Sequence, residues 1–249
     1  MSLSPALSDD PSQSPGAQRV RIIRDLLGGP TGSLLDIGSG RVAPDYPYLD
    51  MADRITCIDW NPRIIPPTPD RIEIRSGDFL DMDIPAESYD AAICADVFEH
   101  VPLEREAAFA AACIRALRPG GLLIVSVPHA GRHAWLDPFE VKPALHRMLF
   151  RLGLYRRTHN GFCDIRKGHK HYTADEIRTA FAPLEPVATR LWGYVCDPLL
   201  SWSEGLGRKT GVAPFRNHLA RGCAAELGRD YGPASFNLAM ALRKKGRNT

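Results

Sequence analysis

Residues Leu34–Val42 read LLDIGSGRV, and this stretch decides the fold. An apolar run ends in Asp36 and passes directly into Gly38-Ser39-Gly40, which is the pattern of a buried strand feeding a tight loop whose backbone amides can approach a ligand closely. The loop is a nucleotide-sized cradle. Gly38, Gly40 and Ala43 also satisfy the G-x-G-x-x-G/A dinucleotide pattern, and Asp59 stands about 20 residues further on, where that pattern asks for an acid. The segments around the loop have to decide between the two.

Outward from the loop the chain alternates short apolar runs with turn and helix signals, the mark of a parallel α/β sheet. Upstream, Val20, Ile23, Leu26 and Leu27 recur at helical spacing and Gly28-Gly29-Pro30 stops them, so a leading helix precedes the first strand, about Ser33 to Ile37. Downstream, Pro44 and Pro47 allow only a short helix after the glycines. A second strand, Ile55 to Ile58, ends in Asp59-Trp60-Asn61-Pro62, and a third, Ile72 to Arg75, leads to Gly77-Asp78-Phe79. In a parallel sheet these carboxyl ends share one edge. Asp59 then faces the glycine loop and can accept from ribose hydroxyls, while the Asp78 carboxylate and the Phe79 amide can read an adenine edge.

The fourth strand, Tyr89 to Cys94, runs into Ala95-Asp96-Val97-Phe98-Glu99-His100, followed by an alanine-rich helix from Leu103 to Leu117. Arg118-Pro119-Gly120-Gly121 turns the chain into a fifth strand, Leu122 to Val127, closing on Pro128-His129. Thr173 and Glu176 form a capping box at the start of a helix running to about Ala182. Strand six spans Val187 to Trp192, and Phe236 to Arg243 is the last strand.

The series LLDIGSG, CIDWNP, SGDFLD, YDAAICADVFEHV and LRPGGLLIVSVP, in that order, resembles the class I S-adenosylmethionine-dependent methyltransferases of the type 11-like group. A nicotinamide enzyme has no need of SGDF and DVFEHV at their places. The resemblance covers Arg19 to Pro128 and resumes near His171 to Phe181 and Phe236 to Arg243. It implies a Rossmann-like, seven-stranded, mostly parallel sheet with helices on both faces and an antiparallel last strand. For the cofactor, S-adenosylmethionine, it implies that Asp36, Gly38, Ser39 and Gly40 surround the methionine moiety, Asp59 holds the ribose with Trp60 flanking the adenosine, Asp78 and Phe79 hold the adenine, and Ala95 and Asp96 lie near the reacting centre. Many members carry a third glycine where this chain has Val42. The expected organisation is a disordered tail over 1–16, then a single methyltransferase domain over 17–249 with insertions at about 129–171 and 197–233.

Composition sets the remaining bounds. The 249 residues are 44% hydrophobic and 24% charged with a formal charge of +2, a balance that gives no case for nucleic acid by itself. The six cysteines are far apart with no C-x-x-C pair, as in reduced, cytoplasmic chains. No apolar run approaches the roughly 20 residues of a membrane span, and the first residues lack the flank and core of a signal peptide.

Charge is concentrated from His129 to His171, with nine Lys or Arg, three acidic residues and six of the eight histidines. Within it Leu145, Met148, Leu149 and Leu152 share a helical face and Arg147, Arg151, Arg156 and Arg157 crowd the other. This basic amphipathic stretch, 142–157, reads as a lid helix, or as peripheral contact with an anionic membrane or a phosphate-bearing acceptor. Nucleic acid is the weaker partner class, because no RNA-binding module is recognisable. His169-x-His171 with Cys163 and Asp164 offers metal-ligand types without a strict metal spacing, so no metal is expected.

If the acceptor is a hydroxyl, a histidine can remove its proton. His129 holds the best expected position, at the end of strand five, with His171 and His100 behind it. The acceptor class expected is a small molecule, a sugar or a lipid-linked glycan. A noncatalytic module that keeps the fold for interaction is the alternative.

Overall fold

In a computed structural model, which describes residues 15–134, 137, 170–200, 213–227 and 229–246, the strands assemble into one seven-stranded sheet. They are β1 (Thr31–Ile37), β2 (Ala52–Asp59), β3 (Ile72–Ser76), β4 (Tyr89–Ala95), β5 (Leu117–Pro128), β6 (Glu185–Trp192) and β7 (Asn237–Arg243). Their spatial order is β3-β2-β1-β4-β5-β7-β6. All pairings along β3-β2-β1-β4-β5 are parallel, and β7 runs antiparallel to both β5 and β6. The expected fold is therefore the one formed. The stretch 142–157, His169, Cys163 and Asp164 lie outside the described residues, as does 1–14 of the tail.

β1 shows why the sheet is buried on both faces. Its side chains alternate, so Leu34 joins one core with Ile55, Ile93 and Ile124, while Leu35 joins another with Ala92, Leu123 and Val125. Helix α1 (Pro15–Leu27) covers the first face through Ile22, Ile23 and Leu26. Helices α2 (Glu106–Ala116) and α3 (Ala174–Ala180) cover the second through Phe109, Cys113 and Ile177. The expected helix over 103–117 is shorter than the pattern suggested. Leu103–Arg105 is a separate 3-10 turn, and Leu117 already belongs to β5. Lys244 closes the end of α2, its Nζ donating to the carbonyls of Ile114 at 2.9 Å and Leu117 at 2.7 Å.

Two local devices shape the upper edge. The capping box holds as expected, with Thr173 accepting from the Glu176 amide and Glu176 accepting from the Thr173 amide. Val42 is fully buried and forms a two-residue parallel ribbon, Arg41–Val42 against Arg63–Ile64. A valine therefore stands where a third glycine would open a helix, and the loop after β1 is laced to the loop after β2.

The strand order reverses between β1 and β4. Strands β2 and β3 are added on one side of β1, and the chain then crosses back to place β4 on the other. The connection leaving β1 packs on one face of the sheet through Tyr46, Tyr48 and Met51, and the connection leaving β4 on the other through Phe98 and Phe109, and in open α/β sheets the crevice at such a reversal is where ligands bind.

Candidate functional site

The loop after β1 is built around glycines whose conformations a side chain would disturb. Gly38 has φ +77°, and a Cβ on it would lie 2.1 Å from Val97 Cγ2 in the loop after β4. The two loops at the reversal point thus touch through a residue with no side chain. Gly40 has φ +61° and open space where its Cβ would stand. The amides of Gly38 and Ser39 donate to the Ile58 carbonyl at 2.7 and 3.1 Å, which turns the loop over the end of β2.

Asp59, the last residue of β2, binds the same loop. Its Oδ2 accepts from the Gly40 amide at 2.9 Å and its Oδ1 from the Asn61 amide at 2.8 Å. Each carboxylate oxygen has a second lone-pair direction, so this carboxylate retains acceptor capacity for hydroxyl donors. Trp60, next in the chain, is 51% exposed at the rim.

Asp36 sits below the glycines, 4% exposed, and accepts from the Tyr46 hydroxyl. Burial and the nearby Asp59 charge push its carboxyl up to about 6, against the opposing pull of Tyr46 and Arg19. The Tyr46 contact was invisible in the sequence, because nothing in the spacing Asp36 to Tyr46 marks a bond across an irregular turn.

Asp78 follows β3 and caps the 3-10 turn Phe79–Asp81. Its Oδ1 accepts from the Leu80 amide at 3.0 Å and its Oδ2 from Arg105 at 2.8 Å. An adenine edge here would share the carboxylate with a guanidinium from the far side of β4, a residue the sequence reading missed. The Phe79 side chain is buried in the core, edge-on to Phe109 with ring centres 5.3 Å apart, so Phe79 can contribute only its backbone to a ligand.

Ala95 ends β4, and Asp96 follows with φ +52°, a left-handed conformation that Asp adopts more readily than most side-chain-bearing residues. The Asp96 amide donates to the Ser126 carbonyl at 2.9 Å, which fixes the turn, and its carboxylate pairs with Arg19 of α1. Arg19 also acts on Asp36 and Glu99. A helix outside the sheet thus supplies a cation to the acidic rim.

The three candidate histidines lie on the same edge. His129 is buried at the end of β5, with Nδ1 2.9 Å from the Ser235 carbonyl oxygen. His171 Nε2 lies 3.1 Å from Asp137 Oδ2. His100 Nε2 is 3.8 Å from Glu99, whose carboxyl burial pushes up to about 8. No group of three or more metal-ligating side chains occurs among the described residues.

The loops after β1, β2, β3 and β4 therefore meet at one edge, with open space at Gly40 and acceptor oxygens on Asp59. The open space at Gly40 and the remaining acceptor capacity of Asp59 are the features a ribose diol requires. A family model described as a methyltransferase domain matches residues 35–125. A curated relative from Mycolicibacterium smegmatis, described as "Probable S-adenosylmethionine-dependent methyltransferase", is 32% identical over 117 residues, a match covering 44% of this chain and 45% of that protein. The chain thus matches about half the length of that relative. Among solved structures, the fold is similar to 1,6-didemethyltoxoflavin-N1-methyltransferase of Burkholderia thailandensis, with TM-score 0.54, 17% identity, and 95% of this chain and 80% of that one covered. It is also similar to the N-methyltransferase NodS of Bradyrhizobium japonicum with S-adenosyl-L-homocysteine, with TM-score 0.53, 16% identity, and 95% and 93% covered.

Proposed function

We propose that this chain, whose residues 35–125 match a methyltransferase-domain family model, is a class I S-adenosylmethionine-dependent methyltransferase that methylates a small-molecule acceptor at the crevice between the ends of β1 and β4. The observation that carries this reading is the bond from the Gly40 amide to Asp59, which joins the loop suited to the methionine moiety to the carboxylate suited to the ribose. A noncatalytic module that keeps the fold is the alternative, and transfer of a labelled methyl group separates the two readings.

In this reading Asp36, Gly38, Ser39 and Gly40 line the methionine end, Asp59 accepts from the ribose hydroxyls beside Trp60, and Asp78 with the Phe79 backbone borders the adenine. When bound, S-adenosylmethionine supplies a sulfonium methyl group open to in-line attack. The work of the protein is alignment and exclusion of water. Asp59 arrives already oriented by two amides, so little side-chain freedom is lost on binding. Ala95 and Asp96 border the place of reaction, with Asp96 held by Ser126 and Arg19.

A sugar or lipid-linked acceptor, and contact of 142–157 with an anionic membrane, rest on sequence pattern alone. No helix among the described residues is long and apolar enough to cross a membrane. Calorimetric titration with S-adenosylmethionine tests the cofactor, and absence of binding overturns the proposal. Incubation of a small-molecule extract with methyl-labelled cofactor, followed by mass analysis, then identifies the acceptor. Cosedimentation with anionic vesicles, with and without Arg147, Arg151, Arg156 and Arg157, tests the membrane contact.

A further inference from the structure

The edge of the sheet opposite the crevice holds a cavity of about 490 Å³ at the amino ends of β1, β2, β3 and β4. That is the size of a small-molecule site. The connection from β3 to β4 forms only the 3-10 turn Phe79–Asp81 and no α-helix, so these ends of β2 and β3 keep polar side chains toward solvent.

Strand register sets the lining. Ser33 of β1 pairs with Arg54 of β2, and Ile55 pairs with Ile72, so Arg54 stands opposite Arg71 one step earlier on the same face of the sheet. Both arginines are exposed, and like charges at facing positions of neighbouring strands are destabilising. Among the described residues neither forms an ion pair, and Arg71 reaches only the Leu49 carbonyl, at 3.5 Å. Asp90, on the far side of Ser33, is already engaged: it accepts from the Ser33 amide and hydroxyl at 2.8 Å each and from Arg118 at 2.7 Å.

The floor of the cavity is polar and neutral. Thr56 and Tyr89 are buried, and the Tyr89 hydroxyl donates to Thr56 Oγ1 at 3.2 Å, which leaves the Thr56 hydrogen to donate elsewhere. Asp70 and Glu73 complete the lining, Glu73 in register with Thr56, and neither carboxylate has an ion-pair partner among the described residues.

We propose that this cavity binds a phosphorylated, polyhydroxyl small molecule, away from the site of methyl transfer. A phosphate between Arg54 and Arg71 converts their repulsion into charge-assisted hydrogen bonds, for which the guanidinium fork is well shaped. Thr56 supplies a further donor. Asp70 and Glu73 repel a bare anion, but they accept from hydroxyl groups on the carbon skeleton of an ester, so the mixed lining selects the ester over free phosphate.

The test is calorimetric titration of the full chain with glycerol 3-phosphate, ribose 5-phosphate and glucose 6-phosphate, with inorganic phosphate and ribose as controls. At least one ester should bind and raise the melting temperature, with inorganic phosphate about tenfold weaker or more and ribose silent. Arg54→Gln and Arg71→Gln should each weaken the ester by about tenfold or more. Neither should lower the melting temperature of the free protein, because each removes one of two facing like charges, and both should keep wild-type affinity for S-adenosylmethionine. Glu73→Gln should weaken the ester without weakening inorganic phosphate. Absence of binding by all three esters, inorganic phosphate bound as tightly as the esters, or ester affinity unchanged in both arginine variants overturns the proposal. A single-stranded oligonucleotide that binds through the two arginines while the esters do not overturns it in favour of nucleic acid.

Discussion

The Gly40 amide donates to Asp59 Oδ2 at 2.9 Å across 19 residues of chain, so the carboxylate at the end of β2 shapes the glycine loop as well as facing the crevice. Asp59 Oδ1 holds the Asn61 amide in the same way. Removing this side chain loosens two loops at once.

Asp59→Ala should weaken S-adenosylmethionine binding by about tenfold or more, the scale of a lost charge-assisted hydrogen bond. Asp59→Asn should lie between, since its amide oxygen can still accept from one backbone donor. Calorimetric titration of the three proteins checks the order, and equal affinities would remove Asp59 from the site.

Gly38→Ala should be far more damaging than Gly40→Ala. Both place a side chain in the left-handed region at about 1–2 kcal/mol, but only at position 38 does the new Cβ meet Val97, at 2.1 Å. Thermal melting and cofactor affinity should both fall in Gly38→Ala, and adding Val97→Ala should restore part of the loss.

Arg105→Ala strips the guanidinium from the buried Asp78 carboxylate, which keeps the Leu80 amide as partner. Because Arg105 is partly exposed, the loss should be modest, about 1–2 kcal/mol in chemical denaturation. Cofactor affinity should fall alongside if the turn borders the adenine.

Glu99 makes stability depend on pH in a defined direction. Its carboxyl lies at about 8 in the fold against an ordinary 4.5, so the folded state holds a proton that the unfolded state releases, and stability falls as pH rises from about 4.5 to about 8. Asp36 acts in the same sense from 3.8 to about 6, which leaves the upper part of the window to Glu99. Glu99→Gln should flatten the melting temperature between about pH 6 and 8 and raise it at the alkaline end.

The sequence by itself determined where the strands run, and its family resemblance their mostly parallel sense, with Gly38, Asp59, Asp78 and Asp96 at strand ends on one edge; the order of the strands came from the structure. Apolar runs ending in glycine or aspartate mark strands and their carboxyl ends, and in a parallel sheet those ends share one edge. Only the tertiary structure decided what each side chain does there. It gave Asp36 to Tyr46, Asp78 to Arg105, Asp96 to Arg19 and His171 to Asp137, and it turned the Phe79 ring into the core. These pairings join residues 10 to 77 positions apart through irregular loops, where side-chain direction follows from packing against distant elements and no periodicity in the chain records it.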